Sequence, residues 1–121
     1  MVNVVYCMRR RADLTLQQFL DHWGEVHAPI VTENLAVLRL TGYQRIVPKV
    51  HEMSPQIERR NISEAPYDGI ALLTWASEAD LKSSLQDPNA LEVQRALARD
   101  EKLFVDAERS CRWVAEAIRH L

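Results

Sequence analysis

The sequence lacks several features that would at once assign a class of function. Its 121 residues carry a net charge of only −2, so no global field attracts nucleic acid or an anionic membrane surface. No apolar run approaches the roughly 20 residues that a membrane-spanning helix needs, and neither an internal repeat nor a low-complexity segment is present. What remains is a composition of 47% hydrophobic and 26% charged residues, which is typical of a single soluble domain spanning residues 1–121.

Cysteine is also scarce, since Cys7 and Cys111 are the only two. They form no CxxC motif and have no histidine at a metal-ligand spacing, so we predict no zinc or other metal site. The two thiols can form one disulfide. Because the sequence opens without a charged and then apolar leader, we expect a cytoplasmic protein with reduced thiols.

The apolar pattern predicts four strands and three helices in the order βαββαβ, which is an α+β fold. The last segment is ambiguous, because its composition favours a helix and its alternation favours a strand, and the element order favours the strand. Strands are expected at residues 2–8, 43–50, 67–75 and 109–117. Helices are expected at 15–41, at 77–86 and from the cap Asn89 to about 104, with Gly42 ending the first and a long loop at 51–66.

Local signals refine two of these elements. Thr15 and Gln18 fit a capping box at the start of the first helix. Pro29 lies within that helix and should kink or restart it. Gly69 and Ala71 share one face of the third strand, where small side chains let a helix lie close to the sheet.

One histidine interrupts the apolar stripe of the first helix. His27 could be a buried histidine with a hydrogen-bond partner, or a proton-transfer group at the mouth of a pocket. His22, five residues earlier, does not fit the i, i+4 spacing of two ligands on one helical face, and we expect it to be exposed. The stripe includes Phe19, Trp23, Val26, His27 and Ile30.

Four further residues are candidates for the site. Asp68 could orient His27, or it could be an edge residue bonded to a loop amide. Tyr6 and Trp23 could line a flat apolar pocket, or simply belong to the core. Arg112 could hold a substrate carboxylate or pair with a neighbouring acid on its own strand.

The spacing Phe-x3-Trp-x3-His-x-Pro in residues 19–29 resembles the opening of EthD-like proteins. Residues 67–71 and 104–110 are similar to the third strand of that family and to the segment before its last strand. The resemblance implies a ferredoxin-like βαββαβ fold of the dimeric α+β barrel type, in which two sheets pack face to face and the helices lie outside. The chain differs from many members at Leu72, where they carry an acidic residue.

The resemblance also implies what the chain does. EthD-like proteins are linked to bacterial ether degradation and to decarboxylation or dehydration in fungal polyketide pathways, with a broad oxidoreductase label. We therefore expect a homodimer without a cofactor, in which His27 acts as general base or acid on an apolar oxygenated or aromatic compound and Asp68 orients it. The alternatives are a non-catalytic ligand-binding or accessory dimer and a haem-linked oxidoreductase.

Overall fold

A computed structural model describes residues 1–61 and 64–121, and it contains a four-stranded antiparallel sheet. Helices connect the first strand to the second and the third strand to the fourth, so the predicted α+β class is confirmed. The strands are β1 (Val2–Met8), β2 (Leu40–Ile46), β3 (Gly69–Trp75) and β4 (Cys111–Ala115). They lie in the order β2-β3-β1-β4, which makes β2 and β4 the edges.

Six helices accompany the sheet in this part of the chain. Five residues that form a π-helical turn, Trp23–His27, join the first helix to the second, and a 3-10 turn, Ala107–Arg109, precedes β4. No helix among residues 1–61 and 64–121 is long and apolar enough to cross a membrane. The helices are α1 (Leu16–His22), α2 (Ala28–Thr32), α3 (Leu35–Leu38), α4 (Ser54–Glu58), α5 (Glu78–Gln86) and α6 (Pro88–Glu101).

The core lies between one face of the sheet, here called the inner face, and the helical layer. Side chains alternate along β1, so Tyr6 and Met8 enter this core while their neighbours point to the opposite, outer face. The largest buried aromatic groups are Phe19, Trp23 and Phe104, each at most 1% exposed. Burying these rings removes a large apolar area from water and positions the helices on the sheet.

Gly69 permits the close approach that its sequence position predicted. A Cβ built on Gly69 would overlap the indole ring of Trp23, so any larger residue would push Trp23 off the sheet. The next inward residue on the same strand is Ala71, which is buried in the same cluster. The prediction that small residues on this face admit the helical layer is confirmed.

The first predicted helix is correct at its start and wrong at its end. Thr15 and Gln18 form both bonds of the capping box. The helix then passes through the π turn and restarts as α2, where Pro29 occupies the first turn and its missing N–H costs no hydrogen bond. The helical region ends at Arg39, whose left-handed φ of 55° turns the chain into β2, and Gly42 is a strand residue instead of the helix stop.

The second and last strands have different ends from those predicted, because a strand extends only as far as it pairs with its neighbour. The last strand is Cys111–Ala115 and not 109–117, since its one neighbour β1 pairs with it from Cys7 to Asn3. The second strand is Leu40–Ile46 and not 43–50, because it follows β3 from Trp75 to Ile70. Pro48, which cannot donate to a strand ladder, lies beyond its end, and β2 is an edge of the sheet.

The remaining corrections concern the third strand and the helices. β3 begins at Gly69 and not at residue 67, although the Asp68 amide still donates to the Met8 carbonyl at 2.9 Å. The loop predicted at 51–66 contains the short helix α4, and residues 62 and 63 of that prediction lie outside the described residues. The cap of α6 is Asp87 instead of Asn89, because the Asp87 carboxylate accepts the Asn89 amide at 2.9 Å.

Candidate functional site

A cavity of about 390 Å³ lies between the inner face of the sheet and the helices. Four of the five predicted site residues line it, namely Tyr6, Trp23, His27 and Arg112. Most of the wall is aliphatic or aromatic, and Tyr43, Gln94 and Glu101 add further polar groups. An apolar cavity with a few converging polar groups is the usual form of a small-molecule site.

His27 is held by a carboxylate that the sequence did not reveal. Its Nδ1 lies 2.8 Å from an Asp100 side-chain oxygen, and both side chains are only 9% exposed. Asp100 lies on α6, 73 residues further along the chain. A buried carboxylate must be hydrogen-bonded, and the imidazole supplies that bond.

His22 contacts the same carboxylate. Its Nε2 lies 3.0 and 3.1 Å from the two Asp100 oxygens, and its side chain is only 23% exposed, so the prediction of an exposed histidine is wrong. The reason is the π turn, in which the Ala28 amide donates to the Trp23 carbonyl five residues earlier. A turn wound this way brings residues five apart onto one face, which a regular α-helix does not.

Phe104 holds both imidazoles in place. Its ring centroid lies 4.8 Å from that of His22 and 5.0 Å from that of His27, and it is fully buried. The two rings direct nitrogens at the carboxylate oxygens at hydrogen-bond distance. Among the described residues, no group of three or more His, Cys, Asp or Glu is arranged to hold a metal ion.

The second ring nitrogen of His27 is free for a ligand. Nε2 has no hydrogen-bond partner among residues 1–61 and 64–121, and no buried side-chain nitrogen or oxygen in that part of the chain is left unpaired. Nε2 is therefore not fully buried, and His27 is one of the residues that line the cavity. Sequence reasoning found this residue, but it could not provide the orientation of the ring.

Arg112 stands over Tyr6 at another part of the cavity wall. Its guanidinium carbon lies 3.8 Å from the centre of the Tyr6 ring, and one nitrogen contacts both oxygens of Glu101 at 3.0 and 3.1 Å. The acid that pairs with it is thus on α6, and not on its own strand. Burial, and secondly the Glu101 charge, raise the pKa of Tyr6, whereas Arg112 lowers it.

Trp23 and Tyr43 form a third polar point in the cavity. The indole Nε1 of Trp23 donates to the Tyr43 hydroxyl at 3.1 Å, which leaves the hydroxyl proton of Tyr43 available to a ligand. Burial raises the pKa of Tyr43, so this hydroxyl stays neutral at physiological pH. Trp23 is 1% exposed and serves as core and as cavity wall at once.

Asp68 does not orient His27, contrary to the prediction. One of its oxygens accepts the Arg10 backbone amide at 2.8 Å, and the other pairs with the Arg10 guanidinium at 2.6 Å. It lines a separate hollow with Arg9, Arg109 and the chain before β3. The alternative, an edge residue bonded to a loop amide, describes its main-chain contact correctly.

The outer face of the sheet carries apolar side chains and no helix of the described chain. Leu72 lies opposite Val5 in the β1–β3 register, and Trp113 lies opposite the same residue in β4. Trp113 is 48% exposed, so it does not belong to the core. Position 72 therefore faces away from the cavity, and the absence of an acid there removes nothing from the cavity wall.

Comparison with known proteins identifies the family. The model of the EthD domain matches residues 11–108. This chain belongs to the EthD domain family. None of the curated proteins compared with the chain matches its sequence.

Solved structures agree with this EthD fold. An ethyl tert-butyl ether d (EthD) family protein from Bacillus halodurans has 14% identity and a TM-score of 0.67, with 98% of this chain and 99% of that chain covered. A dimeric protein of ferredoxin-like fold from Bacteroides fragilis has 9% identity and a TM-score of 0.60, with 96% and 95% covered. SnoaB of Streptomyces nogalater, a cofactor-independent oxygenase, has 12% identity and a TM-score of 0.53, with 99% and 95% covered. At these identities the likeness shows the fold alone.

Proposed function

We propose that this EthD-family protein is an enzyme that transfers protons without a cofactor, with His27 as its general base. The observation that carries the proposal is the state of the His27 ring. Its Nδ1 is bonded to the buried Asp100, its Nε2 has no partner among the described residues, and the residue lines an apolar cavity. A base oriented by a carboxylate, with its other nitrogen directed at the substrate, is a recurrent catalytic arrangement.

Asp100 determines which nitrogen of the His27 imidazole carries the proton. When the carboxylate accepts the Nδ1 proton, the lone pair of the neutral imidazole lies on Nε2. Nε2 then accepts a proton from a bound substrate, and Asp100 stabilises the imidazolium that forms. This replaces the predicted pairing of His27 with Asp68, which binds Arg10 instead.

The rest of the cavity indicates the substrate class. Tyr6 and Tyr43 have raised pKa values, so both hydroxyls remain proton donors for an oxygen that becomes negative as the proton leaves. The wall around Trp23 is apolar and suits a flat ring. Arg112 bonds Glu101 through one nitrogen and also contacts Tyr6, and a guanidinium N–H group outside these contacts can donate to a substrate oxygen. We infer that the substrate is a small oxygenated or aromatic compound. Removal of a proton from it can start a decarboxylation, a dehydration, an isomerisation or an oxygenation.

A probe reaction tests the base directly. 5-Nitrobenzisoxazole is a flat bicyclic compound that opens to a coloured phenolate when a base removes its ring proton. We expect catalysed opening by the native protein, and a loss of about 100-fold for His27→Gln, since a general base contributes roughly 10²–10⁴-fold. Asp100→Asn should lose a similar factor, because an amide NH2 facing Nδ1 favours the wrong tautomer.

The control is His120→Gln, which alters an exposed histidine near the end of the chain. This variant should keep the native rate, and circular dichroism should show that all variants are folded. If His27→Gln opens the probe as fast as the native protein, His27 is not the base. If the native protein binds 2-naphthol, seen by tryptophan quenching, but opens the probe no faster than free imidazole, the cavity is a binding site without this chemistry.

We also propose that the protein is a homodimer joined through the outer sheet face. The face presents Val5, Leu72 and Trp113 with no helix of the described chain above it, and the Bacteroides fragilis relative is dimeric. Light scattering should give twice the 14.0 kDa chain mass for the native protein. Leu72→Asp should give the chain mass, whereas a solvent-facing control, Lys82→Asp, should remain a dimer. A native monomer at micromolar concentration would refute this proposal.

A further inference from the structure

Two side chains of opposite charge line the cavity and bind each other. In the described part of the chain, the cavity wall contains one carboxylate, Glu101, and one guanidinium, Arg112. The Nη2 nitrogen of Arg112 lies 3.0 and 3.1 Å from the two oxygens of Glu101. The charges of the two groups cancel at any distance much larger than their separation, so the pair adds hydrogen-bonding groups to the cavity without adding net charge.

A substrate carboxylate could take the charge of Arg112 only by displacing Glu101. Glu101 is the last residue of α6, and its side chain is only 20% exposed, against 52% for Arg112. A displaced Glu101 carboxylate would lie without its partner beside a mostly apolar wall, which is unfavourable. The incoming carboxylate would also lie close to this second negative charge. The pair therefore disfavours an anionic ligand, although N–H groups of Arg112 outside the pair can still donate to a neutral oxygen.

The two tyrosines of the cavity indicate how their surroundings affect a negative oxygen. Burial, and secondly the Glu101 charge, raise the pKa of Tyr6, and Arg112 reduces this rise without reversing it. Burial also raises the pKa of Tyr43, with Glu101 acting in the same direction and Arg45 in the opposite one. Both hydroxyls are therefore harder to ionise than in water. A substrate carboxylate beside them would meet the same burial and the same Glu101 charge.

The proposed base already has a negative charge behind it. Asp100, which binds His27, directly precedes Glu101 on α6, so two consecutive carboxylates support groups of the cavity wall. When His27 takes a proton from a neutral substrate, the imidazolium balances the one negative charge that forms on the substrate. An anionic substrate would end the same step with two negative charges beside one imidazolium.

We propose that the cavity takes a substrate without net charge, and that Glu101 sets this specificity by neutralising Arg112. This inference rests on the proposed function and narrows its substrate to a neutral oxygenated compound, such as a ketone, an ester or a phenol. A decarboxylation requires an ionised carboxylate in the substrate. Dehydration, isomerisation and oxygenation are the reactions that remain.

Two compounds of the same shape and different charge test the proposal. 2-Naphthamide is neutral, whereas 2-naphthoate is an anion at neutral pH, and both carry a flat double ring with a planar polar group. Equilibrium dialysis against the native protein should give a dissociation constant at least about 10-fold lower for the amide, because like charges oppose each other in the cavity. Equal dissociation constants, or no binding of the amide at millimolar concentration, would overturn the proposal.

A variant of Glu101 tests the source of the specificity. Glu101→Gln keeps the shape of the side chain and leaves the charge of Arg112 unbalanced. It should bind 2-naphthoate more tightly than the native protein by about 10-fold or more, since a nearby opposite charge shifts the pKa of a carboxylate by about 1–3 units. Its affinity for 2-naphthamide should hardly change.

The matched control is Glu92→Gln, which removes an exposed negative charge from the same helix and should alter neither affinity. Circular dichroism should show that both variants are folded, and the comparison of the two compounds on the native protein decides if Glu101→Gln is not. An affinity of Glu101→Gln for 2-naphthoate that stays at the native level would refute the role of Glu101.

The result can be separated from that of the proposed base. If the native protein prefers the amide but does not open 5-nitrobenzisoxazole, the specificity for neutral ligands holds and the proton transfer fails. If it opens 5-nitrobenzisoxazole and binds both naphthyl compounds equally, the proton transfer holds and the specificity fails.

Discussion

Replacing His22 and His27 by leucine, singly and together, tests whether they share Asp100 as one unit. Leucine keeps most of the contact with Phe104 and removes the hydrogen bond. Each single variant leaves the Asp100 carboxylate with one imidazole partner. The double variant leaves a carboxylate that is 9% exposed without either partner, so the two losses should not add.

The exposure of each histidine determines how much its replacement should lower the free energy of unfolding. A hydrogen bond to a charged group contributes about 1.5–3 kcal/mol to the free energy of unfolding. His22 should lie at the lower end, because its side chain is 23% exposed and water can replace part of its bond, whereas His27 is 9% exposed. The double variant should lose the sum of both and about 0.5–3 kcal/mol more, the usual coupling between groups of one network.

Urea unfolding, followed by tryptophan fluorescence at neutral pH and one fixed protein concentration, measures these free energies. The control adds Asp100→Leu to the double variant, which removes the stranded charge and should recover stability relative to the double variant. Losses for His22→Leu and His27→Leu that simply add, or a triple variant weaker than the double, would refute the shared carboxylate.

Two further predictions follow from other contacts. Gly69→Ala should lower the free energy of unfolding by about 1–3 kcal/mol, because the added Cβ overlaps the Trp23 ring. Gly42→Ala should cost less, because its Cβ would meet Thr74 atoms at 3.2 and 3.3 Å. Equal urea midpoints for the two variants would contradict this prediction. Because the pKa values of Tyr6 and Tyr43 are raised in the fold, unfolded tyrosines ionise first and stability should fall as the pH rises through about 10. The Tyr6→Phe, Tyr43→Phe double variant should show a smaller fall between about pH 9 and pH 11, and an unchanged fall would count against these shifts.

The strands, and the sheet face to which each of their side chains points, could be predicted because both depend on a local sequence pattern. Alternation of side chains indicates which residues point inward, and small residues at Gly69 and Ala71 indicate where another layer approaches. These features depend on a period of two, which the chain keeps through β1 and β3. The ends of the strands could not be predicted, because each depends on how far the strand pairs with its neighbour, as β4 does as far as Ala115 opposite Asn3.

The partner of His27 could not be predicted, because it lies on another helix and carries no local mark. In the sequence, Asp100 cannot be distinguished from an acid on the exposed face of a helix. Only the packing of α6 against the π turn brings it to His27. A regular α-helical period places His22 on the surface, whereas the π turn brings it to Asp100. One signal was present, since Phe19, Trp23, His27 and Val31 are all buried and each lies four residues after the last. A steady step of four exceeds the period of an α-helix and indicates local unwinding.

The four-residue spacing of these buried side chains makes the π turn equivalent to an α-helix with one inserted residue. Deleting one residue from the turn tests this interpretation. Removing the exposed Glu25 should convert the bond from the Ala28 amide to the Trp23 carbonyl into an ordinary i, i+4 bond, and the two histidines would become four apart and still share one face. The variant should fold and keep both imidazoles on Asp100, seen as two hydrogen-bonded ring N–H signals by NMR. Removing the exposed Asp21 should instead misplace Trp23 and cost about 3–5 kcal/mol, as the loss of a buried tryptophan does. If the Glu25 deletion unfolds the protein as fully as the Asp21 deletion, the wide turn is required by the fold itself, and the pairing of both histidines with Asp100 is not its reason.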